Sequence, residues 1–284
     1  MKPKIRYPAV AEEFYPSEAD ELDAMLSDLF LKAKDRTGMK TPKALIVPHA
    51  AYRYSGKVSA DAYKSVEGCS FRTVILLGNA HSYLFEGIAV DLHDTWHSPF
   101  GTVPIDNVMG NRLIGLDPRL FHKLDIAHHC DHVLEVQLPF LQHALKPGFS
   151  ILPILFGENR PDTYSKAAEH LLSCISDKDL VVASTDLSHY PSYRDAKNID
   201  RTTLDHMVKM DIEGVAKHEE DVRKRHIAGA ISTFCSPDAV KTVLEIGRRR
   251  GWAGEEISYQ NSGDAAHDDL SAVVGYGAIA FHEP

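Results

Sequence analysis

The segment ALIVPHAAY, Ala44 to Tyr52, begins with four apolar residues and ends in a tip that carries His49. The segment TVILLGNAH, Thr73 to His81, has the same form, and DLVVASTDLSH, Asp179 to His189, also runs from apolar residues into a polar stretch. Short unbroken runs of Val, Ile and Leu are typical of strands that are buried on both faces. These segments therefore predict the centre of a covered β-sheet.

Helical segments separate these strands along the chain. The sequence predicts helices over Gly56–Val66, His132–Leu145 and Ser236–Arg250, and in the last of these Ser236 is the expected cap before Pro237. Strands that alternate with helices predict an α/β fold, in which helices flank a central, mixed and largely buried sheet. We expect one domain over residues 1–284. Ligands of such sheets bind beyond the carboxyl ends of the strands, where His49, His81 and His189 are expected to gather.

Composition and charge narrow the class of protein. The chain has 284 residues, is 44% hydrophobic and carries a net charge of −9, which argues against nucleic acid or an anionic membrane as a partner. Its N-terminal residues lack the apolar core of a signal peptide, and no apolar stretch reaches membrane-spanning length. The four cysteines form no CxxC pair, so we expect reduced thiols in a cytoplasmic protein.

Two imidazoles at the ends of neighbouring strands suit a transition metal such as iron(II), copper or zinc. His49 and His81 are therefore candidate ligands, although each one taken alone also fits a loop histidine that binds the backbone. After the third strand, Asp186 is placed to orient His189 for proton transfer, or else to begin a helix.

Cys235 directly precedes a well-marked helix N-terminus, and the positive end of the helix dipole favours a thiolate there. The alternative is a small buried apolar residue. The cluster HHCDH, His128 to His132, lacks zinc-site spacing, so we interpret His128, His129 and Cys130 as loop residues. His132 and Glu135 are spaced to share one helix face and could line the site.

Taken together, the motifs resemble the Memo family over nearly the whole chain. The matching stretches, in order, are RYPAVAEEFYP, VPHAAYRYSG, LGNAHS, DHVLEVQLPFLQ, STDLSHY, FCSPDAV and SGDAAHDDLSAVVGYGAIAF. The resemblance implies a fold related to the class III extradiol dioxygenases, which are non-haem iron enzymes. It also implies a functional link to a radical-SAM protein and an AMMECR-type protein.

The resemblance implies roles for particular residues. His49, His81 and Cys235 fall at the metal-binding positions of the family, and His189 matches the acid/base histidine of the dioxygenases, with Asp186 beside it. His132 and Glu135 fall in a motif that faces the cleft and would contact substrate.

Four functions remain open on this basis. The leading hypothesis is a metal-binding redox protein with iron or copper and an unidentified small-molecule substrate. The alternatives are a zinc-type hydrolase with the same ligands, a non-catalytic metal carrier or adaptor, and a metal-free cysteine nucleophile with His189 as its base.

Overall fold

A computed structural model describes residues 2–36, 40–266 and 269–284. His267 and Asp268, which belong to the last of the quoted motifs, lie outside this range. The strands in the described part are β1 (Ile5–Arg6), β2 (Ala44–Val47), β3 (Thr73–Asn79), β4 (Ile88–Val90), β5 (Thr95–Ser98), β6 (Gly101–Pro104), β7 (Phe121–Lys123), β8 (Ser150–Phe156), β9 (Leu180–Ser184), β10 (Ala253–Asn261) and β11 (Gly275–His282). The helices are α1 (Ala19–Lys32), α2 (Tyr52–Tyr63), α3 (Asn107–Leu116), α4 (Asp125–His129), α5 (Gln137–Ala144), α6 (Thr163–Leu172), α7 (Tyr193–Val208), α8 (Ile212–Lys224), α9 (Pro237–Arg250) and α10 (Ser262–Ala266).

The predicted α/β architecture is confirmed. The main sheet has the strand order β10-β11-β2-β9-β3-β8-β4-β7, and a small sheet has the order β1-β5-β6. Strands β2, β9, β3 and β8 run parallel to one another. Strand β10 pairs antiparallel with β11, β11 with β2, and β4 with β8, which makes the main sheet mixed.

Helices cover both faces of the main sheet, which explains the unbroken apolar runs. Leu45 and Val47 pack on the face covered by α1, α2 and α5, while Ala44 and Ile46 pack on the face covered by α6, α7 and α9. Alternate residues of a strand point to opposite faces, so a strand between two helix layers needs apolar side chains at every position.

Several boundaries of helices and strands differ from those predicted from the sequence. Helix α2 begins at Tyr52 rather than Gly56, and α5 begins at Gln137, so His132 lies in the irregular segment before the helix. The long edge strand β10 was not predicted, because most of its residues are half-buried and polar, so that it forms no apolar run. No helix in the described residues has both the length and the apolar character needed to cross a membrane.

Candidate metal centre

Three chain segments converge at the carboxyl edge of the parallel strands. His49 follows β2, His81 follows β3, and Cys235 precedes α9. The rings of the two histidines have centroids 5.1 Å apart, and Sγ of Cys235 lies 3.2 Å from Nε2 of His49. One ligand atom from each of the three residues lies within 4.8 Å of the other two. The sheet therefore brings together the three residues that the resemblance assigns to a metal.

The hydrogen bonds of His49 assign its tautomer. Its Nδ1 lies 3.1 Å from Oγ of Ser184, and that hydroxyl donates its own proton to the carbonyl oxygen of Val133. Gln137 also donates to the Ser184 oxygen. Ser184 can then only accept from His49, so we place the proton on Nδ1. Nε2, the atom that faces Cys235, keeps its lone pair.

His81 and His189 take the same tautomer for a simpler reason. Nδ1 of His81 lies 2.8 Å from the carbonyl oxygen of Asn79, and Nδ1 of His189 lies 2.8 Å from that of Leu187. A carbonyl only accepts, so both Nδ1 atoms donate and both Nε2 atoms carry lone pairs. A second hydrogen bond of this kind orients many histidines that bind metals.

Burial keeps the imidazoles of His49, His132 and His189 neutral. It lowers the pKa of His49 well below its usual range, and repulsion from His81, His132 and His189 lowers that pKa further. Burial also lowers the pKa values of His132 and His189. Neutral imidazoles are the form that binds metals.

The thiol of Cys235 contradicts the prediction of a stabilised thiolate. Burial raises the pKa of Cys235 to about 12, and the negative charge of Asp186 adds to the increase. The backbone N–H of Asp186 does donate to the sulfur at 3.2 Å, and α9 begins two residues further on. These favourable dipoles do not offset the loss of hydration around a charged sulfur.

The sequence had predicted that Asp186 orients His189, but in the structure Asp186 has other partners. Its Oδ1 accepts the backbone N–H groups of His49 at 2.8 Å and Ala50 at 3.3 Å, while Leu187 orients the His189 ring. Burial raises the pKa of Asp186 to about 7, although these two hydrogen bonds lower it. Asp186 therefore holds the main chain at His49.

His132 faces the centre, as expected. Its ring centroid lies 5.4 Å from that of His49, 5.5 Å from that of His81 and 4.8 Å from that of Phe14.

Glu135 takes a different position from the expected one, because residues 132–136 precede the helix and do not share a helical face. Its carboxylate is 1% exposed, forms an ion pair with Arg6 and accepts from Tyr15 Oη at 2.6 Å. It also accepts the backbone N–H groups of Ala9 and Val10. Glu135 thus anchors the N-terminal segment that carries Phe14, and it does not belong to the lining of the cavity beside His49 and His81.

A cavity of about 300 Å³ opens beside two of the three converging residues, His49 and His81. Its lining is Glu13, Phe14, His49, Ala50, Ala51, Arg53, Tyr54, His81, His132, Asp186, His189, Tyr190, Val274 and Tyr276. A larger cavity of about 740 Å³ lies near Arg119 and Arg160, but none of the converging ligand groups belongs to its lining. Because candidate metal ligands line the smaller of these two cavities and not the larger, we take the smaller one as the functional cavity.

Asn79 is a site residue whose role the sequence did not reveal. Ser236 occupies the cap position of α9 as predicted, but its side chain makes no cap hydrogen bond. Instead, Oδ1 of Asn79 accepts the backbone N–H groups of Asp238 and Ala239. Asn79 thus ties the end of β3, just before His81, to the helix that follows Cys235.

None of His128, His129 and Cys130 belongs to the converging group. His128 and His129 lie in α4 rather than in a loop, and Cys130 follows that helix. His128 is fully buried and packs edge-on against Trp96. Its carbonyl oxygen accepts from Arg6. These contacts give His128 a structural role.

A second group of possible ligands consists of Asp91, His93 and Asp125, whose ligand atoms also lie within 4.8 Å of one another. Oδ1 of Asp91 already accepts from the backbone N–H of His93 at 2.8 Å and from Nδ1 of the same residue at 2.6 Å. Oδ2 accepts from Nε1 of Trp96, and the guanidinium of Arg6 lies over that indole. Occupied oxygens beside a buried cation disfavour a metal, so we assign this group a structural role.

Comparisons with known proteins agree on one family. A family model described as "Memo-like protein" matches residues 6–280. A MEMO1 family protein of Sulfolobus acidocaldarius is 33% identical over 297 residues, and one of Aquifex aeolicus is 32% identical over 279 residues; each alignment covers 98% of this chain and 99% of the relative. An uncharacterised Escherichia coli K12 protein of known structure aligns with a TM-score of 0.54 at 15% identity, over 84% of this chain and 98% of that one. This last similarity supports the fold alone.

Proposed function

The chain belongs to the family of Memo-like proteins, and from that premise we propose that it binds one transition-metal ion through His49, His81 and Cys235. The observation that carries the proposal is the convergence of one ligand atom from each of His49, His81 and Cys235, all within 4.8 Å of one another. Each imidazole has its other nitrogen committed to a fixed acceptor, as in known metal sites.

The donor set fits a metal in both chemistry and spacing. Nitrogen and sulfur ligands of a tetrahedral ion lie about 3.5 Å apart, close to the 3.2 Å between His49 Nε2 and Cys235 Sγ. Two imidazoles and a thiolate suit iron(II) or copper, which we favour, and also accept zinc. Three protein ligands leave a coordination position free for a substrate.

We further propose a redox enzyme that acts on a small molecule. The bound ion would supply Lewis-acid and one-electron redox chemistry. His189 would accept a proton at Nε2, because its lowered pKa keeps the ring neutral and its Nδ1 is engaged by Leu187. Phe14 and Tyr276 would form apolar walls that limit access of water to the substrate.

The same ligands support a second candidate, a zinc hydrolase, because a mixed histidine and cysteine site with a free position is a common catalytic zinc arrangement. A metal carrier is the third, and the exposure of His81 favours it, since an exposed ligand allows exchange. The metal-free nucleophile is disfavoured, because the raised pKa of Cys235 and the lowered pKa of its expected base, His189, oppose a thiolate–imidazolium pair. The expected link to radical-SAM and AMMECR-type proteins stays a prediction.

Metal analysis of protein purified without oxygen tests the proposal. We expect about one ion per chain in the wild type and strong loss of metal in His49→Ala, His81→Ala and Cys235→Ser. Cys69→Ser is the matched control, because Cys69 is a half-buried free thiol outside the converging group.

The identity of the ion separates the candidates: iron or copper supports redox chemistry, and zinc supports hydrolysis. Wild-type protein that takes up no metal, or ligand variants that retain it fully, would contradict the proposal.

A further inference from the structure

Asp131 is a buried aspartate that holds the chain at His81. It is 2% exposed, and its Oδ2 accepts the backbone N–H groups of His81 at 2.7 Å and Ser82 at 3.0 Å. Its Oδ1 accepts the backbone N–H of Val133 at 3.0 Å. A carboxylate with three backbone donors is compensated for its burial and is fixed in place.

The same arrangement occurs at the other histidine. Oδ1 of Asp186 accepts the backbone N–H groups of His49 and of Ala50, the next residue. Each candidate histidine ligand therefore lies at a strand end whose first two free N–H groups converge on one carboxylate oxygen. In both cases the aspartate comes from a different and distant part of the chain, 50 residues away for Asp131 and 137 for Asp186.

The hydrogen bonds to the aspartate matter more for the position of His81 than for that of His49. His49 is 2% exposed and surrounded by packed side chains, whereas His81 is exposed. The last backbone hydrogen bond along its strand is donated by Ala80 to the carbonyl oxygen of Phe156. Beyond that point the backbone N–H of His81 is held by Asp131 alone among the described residues.

We propose that Asp131 is a positioning residue that fixes the main chain of His81 and thereby places its imidazole for the metal; this inference rests on the proposed metal centre. Loss of the carboxylate would free the loop from Ala80 to Ser82. The imidazole would then have to be ordered when the metal binds, and that entropy cost lowers affinity.

Co²⁺ titration of purified protein tests the proposal. Asp131→Ala removes the oxygen that accepts both the His81 and the Ser82 N–H groups, and we expect its Co²⁺ affinity to fall about 10- to 100-fold, as for other groups that orient metal ligands. The matched control is Asp106→Ala, which removes a carboxylate that accepts the backbone N–H of Met109 and belongs to neither group of possible ligands. This control should bind Co²⁺ as the wild type does.

A double-mutant cycle with His81→Ala separates positioning from a general effect on folding. If Asp131 acts through His81, then Asp131→Ala should change Co²⁺ affinity less than twofold when His81 is already alanine. An equal loss of affinity in both backgrounds would overturn the proposal.

Hydrogen exchange in metal-free wild-type protein supplies a readout that needs neither metal nor a variant that folds well. The amide protons of His81 and Ser82 should be protected, although they lie beyond the strand, and unprotected amides would overturn the proposal. If the wild type binds no Co²⁺, the metal centre itself fails and this role falls with it. If the wild type binds Co²⁺ and Asp131→Ala binds it equally well, only the positioning role fails.

Discussion

Metal binding at Cys235 should release one proton per ion throughout the neutral pH range. The thiol has a pKa raised to about 12 by burial, so it is protonated in the metal-free protein, whereas the ligand form is the thiolate. His49 adds no proton to this count, because its lowered pKa leaves it neutral before metal binds.

The size of the effect follows from this count. With one proton released, the apparent association constant rises about tenfold for each pH unit as long as the thiol stays protonated in the metal-free protein. Between about pH 6.5 and pH 8.5 the affinity should therefore increase about 100-fold, equivalent to ~2.7 kcal/mol. The direction is fixed by the raised pKa, since a higher pH removes the proton that competes with the ion.

The assay is titration with Zn²⁺ against a competing chelator at several pH values, combined with calorimetry in buffers of different ionisation enthalpy. Cys235→Ser is the control, and it should bind weakly with no such pH dependence, because a hydroxyl is not deprotonated as a thiol is. An affinity independent of pH, with no proton released, would show that the thiolate already exists. The helix N-terminus and the N–H of Asp186 would then outweigh burial, and our reasoning on this thiol would be wrong.

Three further predictions concern residues around the centre. Glu135→Ala should lower the free energy of unfolding by about 3–5 kcal/mol in urea titrations, because it leaves the buried guanidinium of Arg6 without its counter-charge; an unchanged midpoint would contradict the anchoring role. His189→Gln should retain the metal but lose turnover once a substrate is found, whereas a metal-free variant would make His189 a ligand. His129→Ala should leave the metal content unchanged, because His129 lies outside the converging group; loss of metal would place the site elsewhere.

Much of the fold was predictable because its signal is local. The runs Ala44–Val47 and Leu180–Ser184 are buried at every position, so their apolar character alone indicates strands between two helix layers. The positions of His49 and His81 at the ends of such strands follow from the same local pattern. Strand β10 escaped prediction because it lies at the sheet edge, where burial is partial and the apolar signal is weak.

The pKa of Cys235 and the contacts that hold the metal centre in place depend on the tertiary structure. The sequence placed Cys235 at a helix N-terminus and so predicted a lowered pKa, but the pKa rises because the fold buries the sulfur near the carboxylate of Asp186. Likewise, Glu135 pairs with Arg6, which is 129 residues away in the sequence, and Asp131 accepts the backbone N–H of His81, which is 50 residues away.

The sequence by itself therefore determined which segments form the buried strands and which residues stand at their ends, because strand burial and side-chain alternation are properties of consecutive residues. Only the folded chain decided what those residues do. Desolvation and hydrogen bonding depend on neighbours that the sheet order brings together, and β2 lies beside β9 although 132 residues separate the end of one from the start of the other. No local pattern records which distant carboxylate will lie against a given backbone N–H.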